Sequence, residues 1–176
     1  MVQTVADSQE MTFRQWLGEY QGLVLKVVRA YAPVEDQDDL FQEICLQIWS
    51  SIPRFDGRAK TSTWIYRVAL NTALVWKRGE KKRRQRRAPL IDISQVPQTR
   101  EGHRISAEDR QMVDRLYKAI RGLPRVDASL VLLYLDRLSY SQMADIVGIS
   151  ESNVGVKLNR ARKRLAELLK GYVDES

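Results

Sequence analysis

The stretch Ser139-Tyr-Ser-Gln-Met-Ala-Asp-Ile-Val-Gly-Ile-Ser-Glu-Ser-Asn-Val-Gly-Val-Lys-Leu158 decides the fold. It reads as two short helices joined by a tight turn. Ser139 and Gln142 have the capping-box spacing that opens a helix, and this helix runs to Val147. Gly148 suits its end, because the turn needs a residue that tolerates positive φ. Ser150 then caps a last helix that continues to about Lys170. Ala144 is small where the two helices cross. Val154, six residues after Gly148, points back into a small core with Met143, Val147, Ile149 and Leu158.

The outward side of the last helix carries Ser152, Asn153, Lys157 and Arg160, then Arg162 and Lys163. Polar and basic side chains on the second helix of such a pair are placed as in a recognition helix entering a major groove. Basic side chains can hold phosphates, and a bidentate arginine can read guanine. The competing reading is an ordinary helical bundle with a solvated basic surface. The net charge of +7 over 176 residues favours a polyanionic partner, nucleic acid or an anionic membrane surface.

Outward from this motif the periodicity stays helical. Glu108–Arg121 carries the stripe Val113, Leu116, Ile120 and ends at Gly122 and Pro124, and Ser129–Arg137 is apolar enough for a buried helix. Toward the N-terminus, Phe13, Trp16, Leu17, Tyr20, Val24, Val27, Val28 and Tyr31 form one stripe that Pro33 stops. Asp36–Ser50 buries Leu40, Phe41, Ile44 and Ile48. A third helix opens at Thr61 or Ser62 and buries Ile65, Val68, Ala69 and Trp76. A basic run, Lys77–Arg87, follows it. Residues 88–107 lack periodicity and contain Pro89, Pro97 and Gly102, as a linker does. No strand-like alternation appears. The expected fold is all-α: two small helical domains, 1–84 and 109–176, joined by a flexible linker over 85–108.

Several function classes lose support. One cysteine, Cys45, excludes an internal disulfide framework and any site needing several thiolates. No apolar run spans a bilayer and residues 1–10 lack the apolar centre of a signal peptide, so a cytoplasmic protein is expected. Asp38, Asp39 and Glu43 could hold a metal, but acids at a helix start more often cap it. His103 has no partner for acid–base work. No metal or cofactor is expected.

Three segments of the first half, Asp38-Asp-Leu-Phe-Gln-Glu43, Phe55-Asp-Gly-Arg58 and Thr63-Trp-Ile-Tyr-Arg67 with Asn71, resemble region 2 of the sigma-70 family. Leu138-Ser-Tyr-Ser-Gln-Met-Ala144 through Gly148-Ile-Ser150 to Arg160-Ala-Arg-Lys-Arg-Leu165 resembles region 4. Order and spacing resemble the extracytoplasmic-function group, which has only these two domains. The resemblance implies a promoter-specific initiation factor with no catalytic residue of its own. It implies that Asp39, Gln42, Glu43 and Leu46 dock on the clamp helices of the largest subunit of bacterial RNA polymerase core. It implies that Arg58, Lys60, Thr63, Trp64, Tyr66, Arg67 and Asn71 meet the −10 element, with an exposed aromatic stacking on an unpaired base. Ser150, Ser152, Asn153, Lys157, Arg160, Arg162 and Lys163 would meet the −35 element of promoter DNA. An anti-sigma partner is implied as well.

Gly155 and Val156 depart from the lysine and serine common in relatives, and a glycine inside a helix costs about 1 kcal/mol relative to alanine. A helix-turn-helix regulator that never meets polymerase would explain 139–165 but not the first half. A nucleic-acid enzyme and a protein adaptor are the remaining classes.

Overall fold

Two prolines set the corners of the N-terminal half. The computed structural model describes residues 2–84 and 106–173. Helix α1 (Val2–Tyr31) stops before Pro33, whose extended backbone (φ −64°, ψ 163°) opens a short 3-10 turn. Helix α2 (Gln37–Ser51) runs into a second such turn containing Pro53. After the loop through Gly57, which adopts φ +74°, α3 spans Thr61–Arg84. Helices α4 (Ala107–Arg121), α5 (Arg125–Leu135), α6 (Tyr140–Val147) and α7 (Glu151–Val173) complete the chain. No strand occurs among the described residues, and the fold is all-α.

Helices α1, α2 and α3 pack mutually around Val24, Val27, Leu40, Ile44, Ile48, Ile65 and Ala69, all buried. Helix α7 packs on α4, α5 and α6 around Ile120, Leu130, Leu133, Met143, Val154 and Leu158. Most of the helical stripes read from the sequence are therefore the faces turned inward. The two halves also touch: α1 meets α4 and α5, and α3 meets α6.

The limits of α3, α4 and α5 differ from the sequence reading. The basic run does not follow α3 but forms its last two turns as far as Arg84. Lysine and arginine are good helix formers, so a change of charge was no helix stop. Helix α5 starts at Arg125, directly after Pro124, and ends at Leu135, with Tyr134 and Leu135 exposed rather than buried. Arg137 then takes φ +59° and turns the chain into α6. Helix α4 begins at Ala107, inside the expected linker. Residues 85–105, which hold most of that linker, the end of the basic run and His103, lie outside the described residues.

Candidate nucleic-acid interface

Helix α2 buries Leu40, Ile44 and Ile48 and leaves the opposite face open. Asp39, Gln42 and Leu46 are exposed there, with Glu43 half-buried and accepting from Gln47 Nε2 at 3.0 Å. Positions 39, 42, 43 and 46 share one face by helical spacing. Leu46, 60 % exposed, is an apolar group among carboxylates with no core to fill. Cys45 lies between the faces, and burial pushes its thiol up to about 11. At neutral pH it is a protonated, unreactive packing group.

The loop before α3 is shaped by Asp56. Its carboxylate accepts from the Arg58 backbone N–H at 3.1 Å and pairs with Arg58 Nε at 3.1 Å. Arg58 and Lys60 are exposed, as is Asn71 nearly three turns into α3, and Thr63 is half-buried. Trp64 is also half-buried. Its Nε1 donates to Ser51 Oγ at 3.0 Å, and its ring lies 5.5 Å from that of Phe55.

Tyr66 differs from the expectation of an available aromatic. It is 3 % exposed, and its hydroxyl donates to Asp136, at the end of α5. Burial, then the bonded Asp136 carboxylate, push that hydroxyl far above the usual tyrosine range. In this arrangement its ring cannot stack on a base. Arg67 is likewise engaged: Nη2 donates to the Asp145 main-chain carbonyl at 2.9 Å, and Nε is buried with no hydrogen-bond partner.

The helix-turn-helix has the local chemistry read from the sequence. Ser139 Oγ accepts from the Gln142 N–H at 3.2 Å, and Gln142 Oε1 accepts from the Ser139 N–H at 2.8 Å. Gly148 takes φ +75°, and the N–H groups of Gly148 and Ile149 both donate to the Ala144 carbonyl. Ser150 Oγ accepts from the Asn153 N–H at 3.4 Å and lies 3.1 Å from Ser152 Oγ. Ser150, Ser152, Asn153, Arg160, Arg162 and Lys163 are exposed and Lys157 is half-buried. Arg162 is turned toward α5, its guanidinium 5.1 Å from the Tyr134 ring centre. Val156, absent from the candidate set, is 50 % exposed on the same outward side. Tyr140 covers Gly155, its ring 3.5 Å from where a Cβ would stand.

Sequence reasoning missed the ties between the halves. Lys26 Nζ pairs with Asp136 at 2.6 Å. Tyr31 Oη donates to the Arg125 carbonyl at 2.7 Å and lies 2.6 Å from Ser129 Oγ. Burial pushes the Tyr31 hydroxyl up to about 12, with the Ser129 bonds acting the other way. Lys77 Nζ donates to the Arg121 carbonyl at 3.0 Å, and Arg121 Nη1 donates to the Arg29 carbonyl at 2.6 Å. Arg29, Arg121 and Asp145 each lie in the last turn of α1, α4 and α6. The last carbonyls of a helix lack intrahelical donors and carry its negative end. Thus Arg121, Lys77 and Arg67 each cap a helix of the opposite half. No single spacing in the sequence marks such partners.

Helices α1–α3 and α4–α7 coincide with two regions of one family of proteins. The sigma-70 region 2 profile matches residues 8–83, and the sigma-70 region 4 profile matches residues 114–165. The chain belongs to the sigma-70 family. It is a sigma factor of the extracytoplasmic-function (ECF) group. It is 27 % identical over 179 residues to the ECF RNA polymerase sigma-E factor of Escherichia coli K12, covering 94 % of this chain and 90 % of that one. It is 25 % identical over 175 residues to the ECF RNA polymerase sigma-E factor of Haemophilus influenzae, covering 94 % and 91 %. Two solved structures share the fold of this sigma factor. The sigma factor RpoE in complex with the anti-sigma factor NepR from Bartonella quintana matches with TM-score 0.64 and 20 % identity, covering 90 % of this chain and 97 % of that one. CnrH in complex with the cytosolic domain of CnrY matches with TM-score 0.61 and 20 % identity, covering 92 % and 90 %. In this sigma factor, region 2 thus supplies α2, the Asp56 loop and α3, and region 4 supplies the helix-turn-helix.

Proposed function

We propose that this chain is an alternative sigma factor that binds core RNA polymerase and directs promoter-specific initiation. The observation that carries this is the pairing, in one chain, of the open face of α2 with a helix-turn-helix whose outward side is polar and basic. A DNA-binding regulator alone needs only the second.

In this reading Asp39, Gln42, Glu43 and Leu46 dock on the polymerase clamp helices. The carboxylates meet basic groups, and Leu46 loses its exposure to water. Arg58, Lys60, Thr63, Trp64, Arg67 and Asn71 engage the −10 element once region 4 has moved away from α3. Stacking of an unpaired base on the Trp64 ring contributes about 1–3 kcal/mol in single-strand binders. Tyr66 joins that surface only after separation from Asp136. Ser150, Ser152, Asn153, Lys157, Arg160, Arg162 and Lys163 meet the −35 element, some by base edges and the rest by phosphates. RNA synthesis belongs to the polymerase, and the sigma factor itself is no enzyme. Domains at 1–84 and 109–176, a linker at 85–108, a cytoplasmic location and an anti-sigma partner belong to the same reading. No helix among the described residues is long and apolar enough to cross a membrane.

In vitro transcription tests the reading. The protein is added to sigma-free bacterial core polymerase on fragmented genomic DNA, and run-off starts are mapped. New starts sharing −35 and −10 sequences are expected. Tight duplex binding by the protein alone, with no new start, would instead identify a regulator that never meets polymerase.

A further inference from the structure

Part of the α3 surface assigned to promoter DNA is engaged by the C-terminal half. Arg67, of the −10 set, and Lys77, which opens the basic run and is suited to phosphates, both lie on α3. Both instead donate to main-chain carbonyls of the C-terminal half, Asp145 at 2.9 Å and Arg121 at 3.0 Å. Tyr66, between the same two domains, is held by Asp136. Asp136 receives a second donor, Lys26, from α1 at 2.6 Å, so one carboxylate ties α1 and α3 to the end of α5.

These ties are polar and partly wet. The Lys26 side chain is 47 % exposed and that of Asp136 20 % exposed, and Arg67 retains a buried donor with no partner. Such a contact is specific in geometry yet gives way to a competing anion, as interfaces between domains of one chain generally can.

We propose that the free protein rests in a closed state, clasped at Asp136, in which Arg67 and Lys77 are withheld from nucleic acid. Closure and phosphate binding then compete for the same two side chains, and no second protein is needed for the inhibition. The inference rests on the sigma-factor reading for its biological use, while closure is a property of the free chain and is measured without polymerase.

The experiment has two arms on the full chain. Spin labels are placed by Gln15→Cys and Glu167→Cys, both exposed positions, in a Cys45→Ser background. Their separation is read by pulsed electron resonance with and without Asp136→Ala. Binding is read by anisotropy on a labelled DNA duplex with a single-stranded tail, of arbitrary sequence, across a salt series. The unmutated clasp should give one narrow distance distribution, and Asp136→Ala a longer and broader one. The variant should bind the tailed duplex about fivefold tighter. Its log K against log salt should be steeper by roughly one to two, as two cations reach phosphates. Lys26→Ala, at a half-exposed site, should shift both readouts in the same direction by less, and serves if Asp136→Ala fails to fold. A broad distribution with Asp136 intact overturns the proposal. So do variants that fold but leave distance and salt slope unchanged. Clasp-dependent closure in a protein that gives no run-off start would sink the sigma-factor reading alone.

Discussion

Arg67 on α3 donates through Nη2 to the Asp145 carbonyl in the last turn of α6, while its own Nε is buried without a partner. The cap favours the contact, and the orphaned donor opposes it by about 1–3 kcal/mol. Arg67→Ala is therefore expected to change stability by less than about 1 kcal/mol in urea unfolding. Run-off transcription should nevertheless fall about tenfold or more if Arg67 makes the proposed −10 contact. A large stability loss with transcription per folded molecule unchanged would make Arg67 structural only.

Gly155 sits inside α7 with a helical backbone, and a Cβ there would meet the Tyr140 ring at an ordinary 3.5 Å. Gly155→Ala should raise the stability by about 0.5–1 kcal/mol, since alanine loses less backbone freedom on entering a helix. A shift of the urea midpoint to higher concentration at constant slope is the expected signature. A lower midpoint would mean that α7 must bend at this point.

Val156 is a half-exposed aliphatic group among polar side chains on the recognition helix. An apolar side chain in the major groove contacts the thymine methyl. Once a −35 element is mapped, replacing its thymines one at a time by deoxyuridine should weaken holoenzyme binding several-fold at one position. The same replacement should have no effect on Val156→Ala. Equal losses in both proteins would remove Val156 from the reading surface.

Tyr31 ionises at about 12 in the folded chain, against 10 when free, because it is buried beside Ser129. Burial thus favours the neutral hydroxyl. The associated stability is fully present below pH 10 and is lost as pH rises from 10 through about 12. The loss across that window is about 2–3 kcal/mol for this one group. Urea midpoints should therefore show no tyrosine-linked change between pH 7 and 9 and should fall above 10, with Tyr31→Phe falling less steeply. An identical alkaline fall in Tyr31→Phe would assign it to other groups, of which Tyr66 is the first to examine.

Local rules carried most of the fold. The capping box at Ser139, the positive φ at Gly148 and the inward Val154 all depend on residues within a few positions of one another, and periodicity alone placed Ile44 and Ile65 in the core. The reading fell short where a partner lies far along the chain. Tyr66 follows the buried Ile65 and reads from the sequence as open to a ligand, yet its partner Asp136 is 70 residues away. Tyr31 completed an apolar stripe, and nothing near it announced Ser129, 98 residues on. Asp136 itself reads as a solvated acid after an apolar helix. The basic end of α3 reads as a boundary because composition changes there, although its residues favour helix as strongly as those before them.

Arg121, Lys77 and Arg67 each end on a main-chain carbonyl, a group that no substitution removes. The other tying groups lie on α1, α3 and α5 and at the end of α5, and α7 contributes none of these bonds. Inheritance can therefore rewrite Ser152, Asn153, Val156 and Arg160, and with them the proposed −35 reading surface, while the resting arrangement passes unaltered to the descendant. A duplicated copy of this chain could acquire a new set of target genes in a few substitutions and arrive already restrained.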